Sequence, residues 1–575
     1  MVWIFVLFFF FPKFPFIGKY LSLGTEVMIW SLFAVGFNIL LGYTGLTSFG
    51  HGAYFGIGAY TAGIIFLRVY PGFWVPLLLS IVGGALFAGL VGLIVAKKRG
   101  IYFSLLTIAF GQVFYFIAFR WEELTGGETG LSKIDRIPIG IPGLFQVKLS
   151  NPNNYYYVCW AIFLIATIIV WKIVHSPFGK VIQGIRENEV RTRYLGYNVY
   201  FYKWASVTLS GAFAGLAGGL YTFLINSAFA TVLDWTQSGN VVMMNLLGGG
   251  LVNFFGPILG ATIFISSRDL LSAYISRASY TLHFEIDWLF IYGLIFVFVI
   301  LFIPTGDPWS NQRKEKGGLK VGGGMAAILA TEGLTKNFGG PMALDSVSLQ
   351  FEEVKLTSVI GPNGAGKTTF FNLLTGLIKP DSGKIIFKGE DITKLPIHGI
   401  VRKGISRSFQ IINLFNEMTL FENVWLGVQA QQGHGTEFFA DSDRFRSIRD
   451  ETFRVIKETG LAGKEETPVK LLSYGDRRIL EITLSLTPKP TLLLLDEPTS
   501  GLVSEDRKRI SEFMKKISSR LTLVVVEHDM DVVMSISDHI VVFSQGGVLA
   551  QGPPNEIRGN QKVQEAYLGG QYCLV

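Results

Sequence analysis

The first 304 residues alternate between long apolar runs and short polar or basic stretches. A helix that crosses a membrane needs about 20 mostly apolar residues, and several runs meet that requirement. A shorter apolar stretch, Trp3 to Ile17, is interpreted as a short or truncated first span. The pattern predicts an all-α polytopic membrane domain, with spans near 24–44, 51–69, 73–96, 101–119, 157–174, 203–225 and 287–304.

Basic residues give these spans a direction, because Lys and Arg accumulate on the cytoplasmic side of a membrane. We therefore place Lys97-Lys98-Arg99 and the stretch from Lys180 to Arg193 in the cytoplasm, and the polar segment from Glu122 to Asn154 outside. The last span then ends on the cytoplasmic side only if the apolar stretch 232–275 forms two short spans or a re-entrant hairpin.

Glycine, asparagine and proline interrupt 232–275 at Gly248-Gly249-Gly250, Asn253 and Gly256-Pro257. Interrupted membrane segments can border a substrate path, and small residues can equally serve close helix packing. Both hypotheses, a substrate path and close helix packing, stay open. His51, within the glycine-dense stretch 42–52, is interpreted as an interfacial structural histidine, with a path-lining role as the alternative.

Charges reach the density of a soluble protein only after Arg313. The stretch from Ser310 to Ala326 is dominated by glycine and lysine, which is typical of a flexible tether. We predict a transmembrane domain over 1–309, a linker over 310–326 and a soluble domain over 327–575. The net charge of +7 does not indicate a nucleic-acid partner, because many basic residues flank apolar spans.

Residues 361–368 match the phosphate-binding pattern GxxxxGK[ST] at every fixed position. A β-type run from Leu356 to Ile360 precedes it and a helical pattern follows it. Backbone N–H groups of such a loop surround phosphate oxygens, the lysine reaches the β- and γ-phosphates and the hydroxyl binds Mg²⁺. The residues expected to hold ATP are Gly361, Pro362, Asn363, Gly364, Ala365, Gly366, Lys367, Thr368 and Thr369, with Thr368 also on the metal.

A second apolar run, from Leu492, ends in Asp496 and Glu497. Beside a phosphate-binding loop, the first carboxylate suits the organisation of Mg²⁺. The second suits a general base that polarises the attacking water. The soluble domain is therefore predicted to be an α/β ATPase with ATP and Mg²⁺ as its cofactors.

Residues 327–570 resemble the ATP-binding-cassette family, which implies a helical subdomain. In this resemblance Gln410, in SRSFQ, is the Q-loop glutamine and a metal contact, and His528, in VVVEHDM, touches the γ-phosphate. Phe338 is the aromatic residue that stacks on adenine. The stretch LSYGD occupies the signature position, so Ser473 and Gly475 are implied to contact ATP held by a partner cassette.

Two departures from the family pattern stand out. Val503 replaces the aspartate found in most cassettes, which puts communication between paired sites in doubt. Tyr474 and Asp476 replace the glycine and glutamine of the signature, a change that the ATPases of branched-chain amino acid importers often share.

The membrane half carries its own resemblance. GYTGLTSFGHGAYFGIGAYTAG, SPFGKVIQGIRENEVRTRYLGYN and NLLGGGLVNFFGPILGA are similar to permease subunits of branched-chain amino acid importers. Urea and amide importers share much of this pattern. The residues alone favour a solvated loop over 179–196, whereas the resemblance implies a coupling helix that docks on an ATPase.

Together the resemblances imply ATP-driven import of an amino acid across the inner, cytoplasmic membrane, with the ATPase domain in the cytoplasm. They also imply a second permease subunit, a second ATPase subunit and an extracytoplasmic substrate-binding protein, besides lipid and a small polar substrate. A urea or short-amide importer and an exporter half-transporter are the alternatives. A degenerate regulatory cassette is disfavoured by the intact set of Lys367, Asp496, Glu497 and His528.

Overall fold

The structure is a computed structural model that describes residues 2–13, 20–141, 145–249, 253–268, 327–339, 342–440 and 445–568. The predicted span at 287–304 and the predicted linker over 310–326 lie outside these residues. The proposed domain boundaries therefore stay predictions.

The chain divides into two compact units that do not follow the sequence strictly. The segment Glu187–Asn198 belongs to the unit that otherwise contains the described residues from 327 onward. Conversely, 437–440 belong to the unit that contains the N-terminal helices.

The first unit is built of helices, as predicted. Five of the described helices are long and apolar enough to cross a membrane: Leu21–Thr44, Trp74–Val95, Ile101–Arg120, Pro152–Val174 and Val199–Ile225. The predicted first span begins with a helix of only nine residues, which is too short to cross a bilayer. The helices are α1 Val2–Phe10, α2 Leu21–Asn38 with a π-helical continuation Ile39–Thr44, α3 His51–Arg68, α4 Trp74–Val95, α5 Ile101–Arg120, α6 Glu122–Thr125, α7 Pro152–Val174, α8 Pro177–Tyr194, α9 Val199–Ile225, α10 Trp235–Leu247 and α11 over 256–268.

Glycines bring α3, α4 and α9 into backbone contact. A Cβ on Gly215 would lie 2.3 Å from the carbonyl oxygen of Ser80, and one on Gly58 would lie 2.3 Å from that of Gly215. Small residues allow this close approach between helices in a membrane. The glycine-rich stretch of α9 therefore forms the centre of the bundle.

The stretch 232–275 is broken where its sequence predicts. Helix α10 ends at Leu247 and α11 begins at 256. The flanks of the break pack tightly, since a Cβ on Gly248 would meet the carbonyl oxygen of Gly256 at 1.7 Å. This geometry gives the small residues a packing role at the break.

His51 lies in the packed interior of the first unit, which fits the structural part of its interpretation. Its side chain is fully buried. Its Nε2 lies 2.9 Å from Ser210 Oγ, and its ring packs against Phe33 and Phe37.

The polar region between α5 and α7 forms two short antiparallel pairings. One joins Leu131 to Ala228 at the end of α9, and the other is a hairpin. The strands are β1 Leu131–Ser132, β2 Ile139–Ile141, β3 Phe145–Val147 and β4 Ser227–Ala228.

The second unit is an α/β fold with two sheets. The strands are β5 Ala327–Lys336, β6 Leu344–Glu352, β7 Leu356–Ile360, β8 Ser382–Phe387, β9 Glu390–Asp391, β10 Ile405–Arg407, β11 Leu492–Asp496, β12 Thr522–Val526, β13 His539–Ser544 and β14 Gly547–Gly552. The larger sheet has the order β10-β11-β12-β7-β13-β14, and only the β13–β14 pairing is antiparallel. The smaller sheet is antiparallel, with the order β6-β5-β8-β9.

Helices flank these sheets and complete the fold class predicted for the second half of the chain. Strands β7, β11 and β12 are fully buried, as expected for parallel strands covered on both faces. The helices are α12 Lys367–Leu374, α13 Ile397–Lys403, α14 Leu420–Gln431, α15 Arg446–Glu458, α16 Tyr474–Leu486, α17 Ser504–Ser518, α18 Met530–Ile536, α19 Pro554–Gly559 and α20 Gln561–Leu568.

Candidate functional site

The order of the large sheet brings the predicted site residues together. Ligands of open α/β sheets bind beyond the carboxyl ends of the strands. The ends of β7, β11, β12 and β10 lead into the phosphate-binding loop, the Asp496-Glu497 pair, His528 and Gln410, respectively. Four sequence-distant motifs therefore meet at one edge.

The phosphate-binding loop runs from β7 into α12. Gly366 has φ +97°, and a Cβ there would lie 2.6 Å from the carbonyl oxygen of Ala343, so only glycine fits without strain. Lys367 is buried, and its Nζ donates to the carbonyl oxygens of Gly361 and Pro362 at 2.6 and 3.0 Å. The ammonium group is thus held inside the loop where phosphates are expected.

Burial lowers the pKa of Lys367 to about 8, and the charges of Glu497 and Asp496 act in the opposite direction. A cationic ammonium and the N-terminus of α12 together favour an anion. Thr368, in the first turn of that helix, is exposed. The loop therefore offers a cation, backbone donors and an accessible hydroxyl to phosphate groups.

Glu497 sits between the two other predicted catalytic side chains. Its Oε2 accepts a 3.0 Å hydrogen bond from Gln410 Nε2, and its Oε1 lies 2.9 Å from His528 Nε2. The hydrogen bond with His528 is the main cause that lowers the pKa of Glu497. A charged carboxylate at this place can accept a proton from water.

The backbone of Glu497 is itself strained. Its φ is +45°, a region that L-residues avoid. Its amide donates to the carbonyl oxygen of Val526 at 2.8 Å. Such strain is typical of functional sites, where the surroundings force one orientation on a side chain.

Asp496 supports a metal-binding role through an orphaned atom. Its Oδ2 accepts a 2.7 Å bond from Arg407 Nη2, and both side chains are almost fully buried. Its Oδ1 is buried and accepts no hydrogen bond from the described residues. Mg²⁺ is commonly held by one or two carboxylates together with substrate phosphates, so this free oxygen fits the ion.

Ser473 and Gly475 lie at the start of α16, where Ser473 Oγ caps the helix by accepting from the amide of Asp476 at 3.2 Å. Among the described residues, no hydrogen bond joins either of them to the phosphate-binding loop. Phe338, which follows β5, is 37% exposed and packs on Lys336. These residues are not gathered around Glu497.

Three residues that the sequence did not single out organise this edge. Arg407 holds Asp496, as described above. Arg478 and Glu481 form a fully buried ion pair at 2.6 Å on α16. A charged residue at a buried position adds nothing to the apolar periodicity of a helix. The stretch GDRRILE therefore did not indicate that Arg478 and Glu481 are buried.

Arg478 binds the backbone on both sides of the candidate base. Its guanidinium donates to the carbonyl oxygens of Asp496, Glu497 and Pro498, and to that of Phe409 beside Gln410. Glu481 Oε1 accepts from the amide of Phe409 at 2.8 Å. The buried pair therefore fixes Gln410 and Glu497 relative to each other.

Glu187–Asn198 belongs to the unit that contains these motifs, so the later part of the segment 179–196 docks as the resemblance implies and is not a solvated loop. Arg191 is buried, and its Nη2 donates to the carbonyl oxygen of Glu481 at 3.0 Å. The ring of Tyr194 packs edge-on against Phe409 at 4.8 Å. Helix α8 is kinked at Asn188, where φ is −152°.

Family models match both halves of the chain. Residues 20–301 match the branched-chain amino acid transport system permease component, 344–500 match the ABC transporter model, and 548–572 match a branched-chain amino acid ATP-binding cassette transporter model.

Similar proteins match the second half. The high-affinity branched-chain amino acid transport ATP-binding protein BraF of Pseudomonas aeruginosa is 43% identical over 252 residues, which cover 42% of this chain and 98% of BraF. LivG of Salmonella typhimurium is 40% identical over 42% of this chain and 98% of its own length. A solved nucleotide-free cassette from an ABC transporter is 28% identical, with a TM-score of 0.38 over 42% of this chain and 99% of that one.

Both halves point to a membrane protein that binds nucleotide and couples ATP hydrolysis to transport. The chain belongs to the branched-chain amino acid ATP-binding cassette transporter family, and it carries the permease domain and the ATPase domain in one polypeptide.

Proposed function

We propose that this chain is the fused permease–ATPase subunit of an importer that brings a branched-chain amino acid into the cytoplasm across the inner membrane. The observation that carries the ATPase part is the position of Glu497, held on one carboxylate oxygen by Gln410 and on the other by His528. The amino-acid substrate rests on the permease model and on the two transport proteins named above.

In this account Lys367 and the loop amides bind the β- and γ-phosphates, and Phe338 stacks on the adenine. Glu497 accepts the proton of the attacking water, while His528 and Gln410 keep its carboxylate oriented. Mg²⁺, held by Thr368, Asp496 and Gln410, would neutralise charge that develops on the phosphates.

One chain supplies one permease half and one cassette. The family architecture places each ATP between one phosphate-binding loop and the signature of a second cassette. Among the described residues, no hydrogen bond joins Ser473 or Gly475 to the loop of this chain, which is consistent with that arrangement. We therefore propose a second permease subunit, a second ATPase subunit and an extracytoplasmic substrate-binding protein as partners.

Glu187–Asn198 is proposed to transmit the state of the cassette to the permease. Its Tyr194 touches Phe409, the neighbour of Gln410, and its Arg191 touches Glu481. Movement of the Q-loop on ATP binding would therefore displace this segment.

The direct test is ATP hydrolysis by the assembled transporter. We expect Mg²⁺-dependent hydrolysis that increases when the binding protein is loaded with leucine, isoleucine or valine. Stimulation by urea or acetamide in place of these amino acids would identify the alternative substrate class. Hydrolysis that responds to no binding protein would contradict import.

A further inference from the structure

An ion pair joins two helices of the first unit far apart in sequence. Arg268 Nη1 and Nη2 donate to Glu26 Oε1 and Oε2 at 3.0 and 2.9 Å. The contact is the two-pronged geometry in which guanidinium recognises a carboxylate. Both side chains keep some access to solvent, with 27% of Arg268 and 16% of Glu26 exposed.

The setting makes this pair unusual. Glu26 lies in the second turn of α2, in the segment Leu21–Thr44 that is long and apolar enough to cross a membrane. Charged side chains in membrane-spanning helices are costly and mark substrate or ion pathways. The cytoplasmic placement of Lys97-Lys98-Arg99 puts the first turns of α2 at the outer end of the membrane, where an imported substrate arrives.

Aromatic side chains continue inward from the ion pair on the same face of α2. Trp30, four residues after Glu26, donates from Nε1 to Glu26 Oε1 at 3.3 Å. The Trp30 ring stacks on Phe55 of α3 at 5.3 Å and packs against Tyr221 of α9 at 6.1 Å. The charges thus adjoin a mostly buried apolar surface.

We propose that Glu26 and Arg268 are the binding groups for the zwitterionic head of the substrate amino acid, an inference that rests on the proposed function. The substrate carboxylate replaces Glu26 on the Arg268 guanidinium, and Glu26 pairs with the substrate ammonium group. The apolar side chain then lies against Tyr221, the partly exposed ring of this aromatic cluster.

Charge balance selects the substrate class. A zwitterion can form two ion pairs with these side chains, since Arg268 takes its carboxylate and Glu26 takes its ammonium group. An amine or a carboxylic acid could form only one of the two. Urea carries no charge and would not use the pair.

The test is equilibrium binding of tritiated leucine to the full-length chain in lipid nanodiscs. We expect saturable binding that isoleucine competes for, whereas leucinamide and 4-methylpentanoate compete at least tenfold less well. Glu26→Gln and Arg268→Gln should each weaken leucine binding about tenfold or more, since each removes one charge-assisted contact. Arg68→Gln is the matched control, because that guanidinium bonds the backbone carbonyl of Leu124 and not this pair.

The exchanged variant Glu26→Arg with Arg268→Glu separates binding from helix clamping. It restores an ion pair and should recover the melting temperature, but it reverses the charges relative to the aromatic surface and should not recover leucine binding. Full recovery of binding would show that the pair only clamps α2 to α11. The inference is also overturned if wild type shows no saturable leucine binding, or if both single variants bind leucine within twofold of wild type. Retained leucine binding in those variants would leave the proposed amino-acid substrate standing, whereas displacement of leucine by urea would contradict that substrate.

Discussion

The guanidinium of Arg191 is fully buried and donates a 3.0 Å hydrogen bond to the backbone carbonyl oxygen of Glu481, a residue 290 positions later in the chain. Burial lowers the pKa of Arg191 to about 10, an effect that the charge of Glu481 opposes. Burial likewise raises the pKa of Glu481, and the charges of Arg478 and Arg191 oppose it. Glu187–Asn198 therefore contributes the charge of Arg191 to the buried network behind Glu497.

Arg191→Met should lower substrate-stimulated ATP hydrolysis about tenfold or more, because Glu481 loses one of its two compensating cations. The dissociation constant of a fluorescent ATP analogue should stay within twofold, since the phosphate-binding loop is untouched. Arg193→Met is the matched control, because Arg193 pairs with Glu189 inside the same segment.

A double-mutant cycle shows whether Arg191 acts through Glu481. If it does, Arg191→Met combined with Glu481→Gln should hydrolyse ATP no more slowly than the slower single variant. Additive losses would contradict the proposed route.

Glu497→Gln should lower the ATP turnover number by roughly 10²–10⁴-fold, because the amide cannot accept the proton of water. ATP binding should persist. The exposed Glu512 of α17 offers the control Glu512→Gln, which should match wild type. Turnover of the Glu497 variant within twofold of wild type would show that another group is the base.

ATP affinity should fall in mildly alkaline solution. The pKa of Lys367 is lowered to about 8 by burial, so the free protein loses this proton as pH rises, and ATP must restore it on binding. The dissociation constant should be flat below about pH 7 and rise by up to about tenfold per unit above pH 8.

The lowered pKa of Lys367 has the opposite effect on folding stability. Between the folded pKa of about 8 and the ordinary value of 10.5, the unfolded chain holds the extra proton. The Lys367 contribution to the free energy of unfolding therefore rises with pH in that window. Fluorescence titrations with the ATP analogue would measure the affinity as a function of pH. An ATP affinity that stays unchanged up to about pH 9.5 would contradict the lowered pKa of Lys367.

Val503→Asp should stabilise the ATPase fold. Val503 occupies the N-cap of α17 with an extended backbone and no side-chain cap. An aspartate there can accept from the free amides of the first turn, which typically contributes about 1 kcal/mol. Chemical denaturation should show this gain for Val503→Asp and no gain for Val503→Ala.

The positions of the ATP-site motifs could be predicted because each motif is local. A phosphate-binding loop requires glycines and a lysine at fixed spacing, and an apolar strand that ends in two acids is visible in any window. Parallel strand order then carries Asp496, Glu497, Gln410 and His528 to one edge.

The long-range contacts of the charged residues could not be predicted in this way. The residues alone predict that Arg191 is solvated, and only the family resemblance indicated that its segment docks on the ATPase. Glu26 and Arg268 are 242 positions apart, so neither residue carries a local signal for the other. Such ion pairs depend on long-range packing, which apolar periodicity does not encode.

ATP-driven import can be measured as uptake of radiolabelled leucine by proteoliposomes that contain this chain, its partner subunits and the leucine-loaded binding protein. We predict that leucine accumulates against its gradient when ATP and Mg²⁺ are available to the ATPase domain. Accumulation should be lost when Glu497 is replaced by Gln. Accumulation that persists in the Glu497→Gln transporter, or that requires no ATP, would contradict the account.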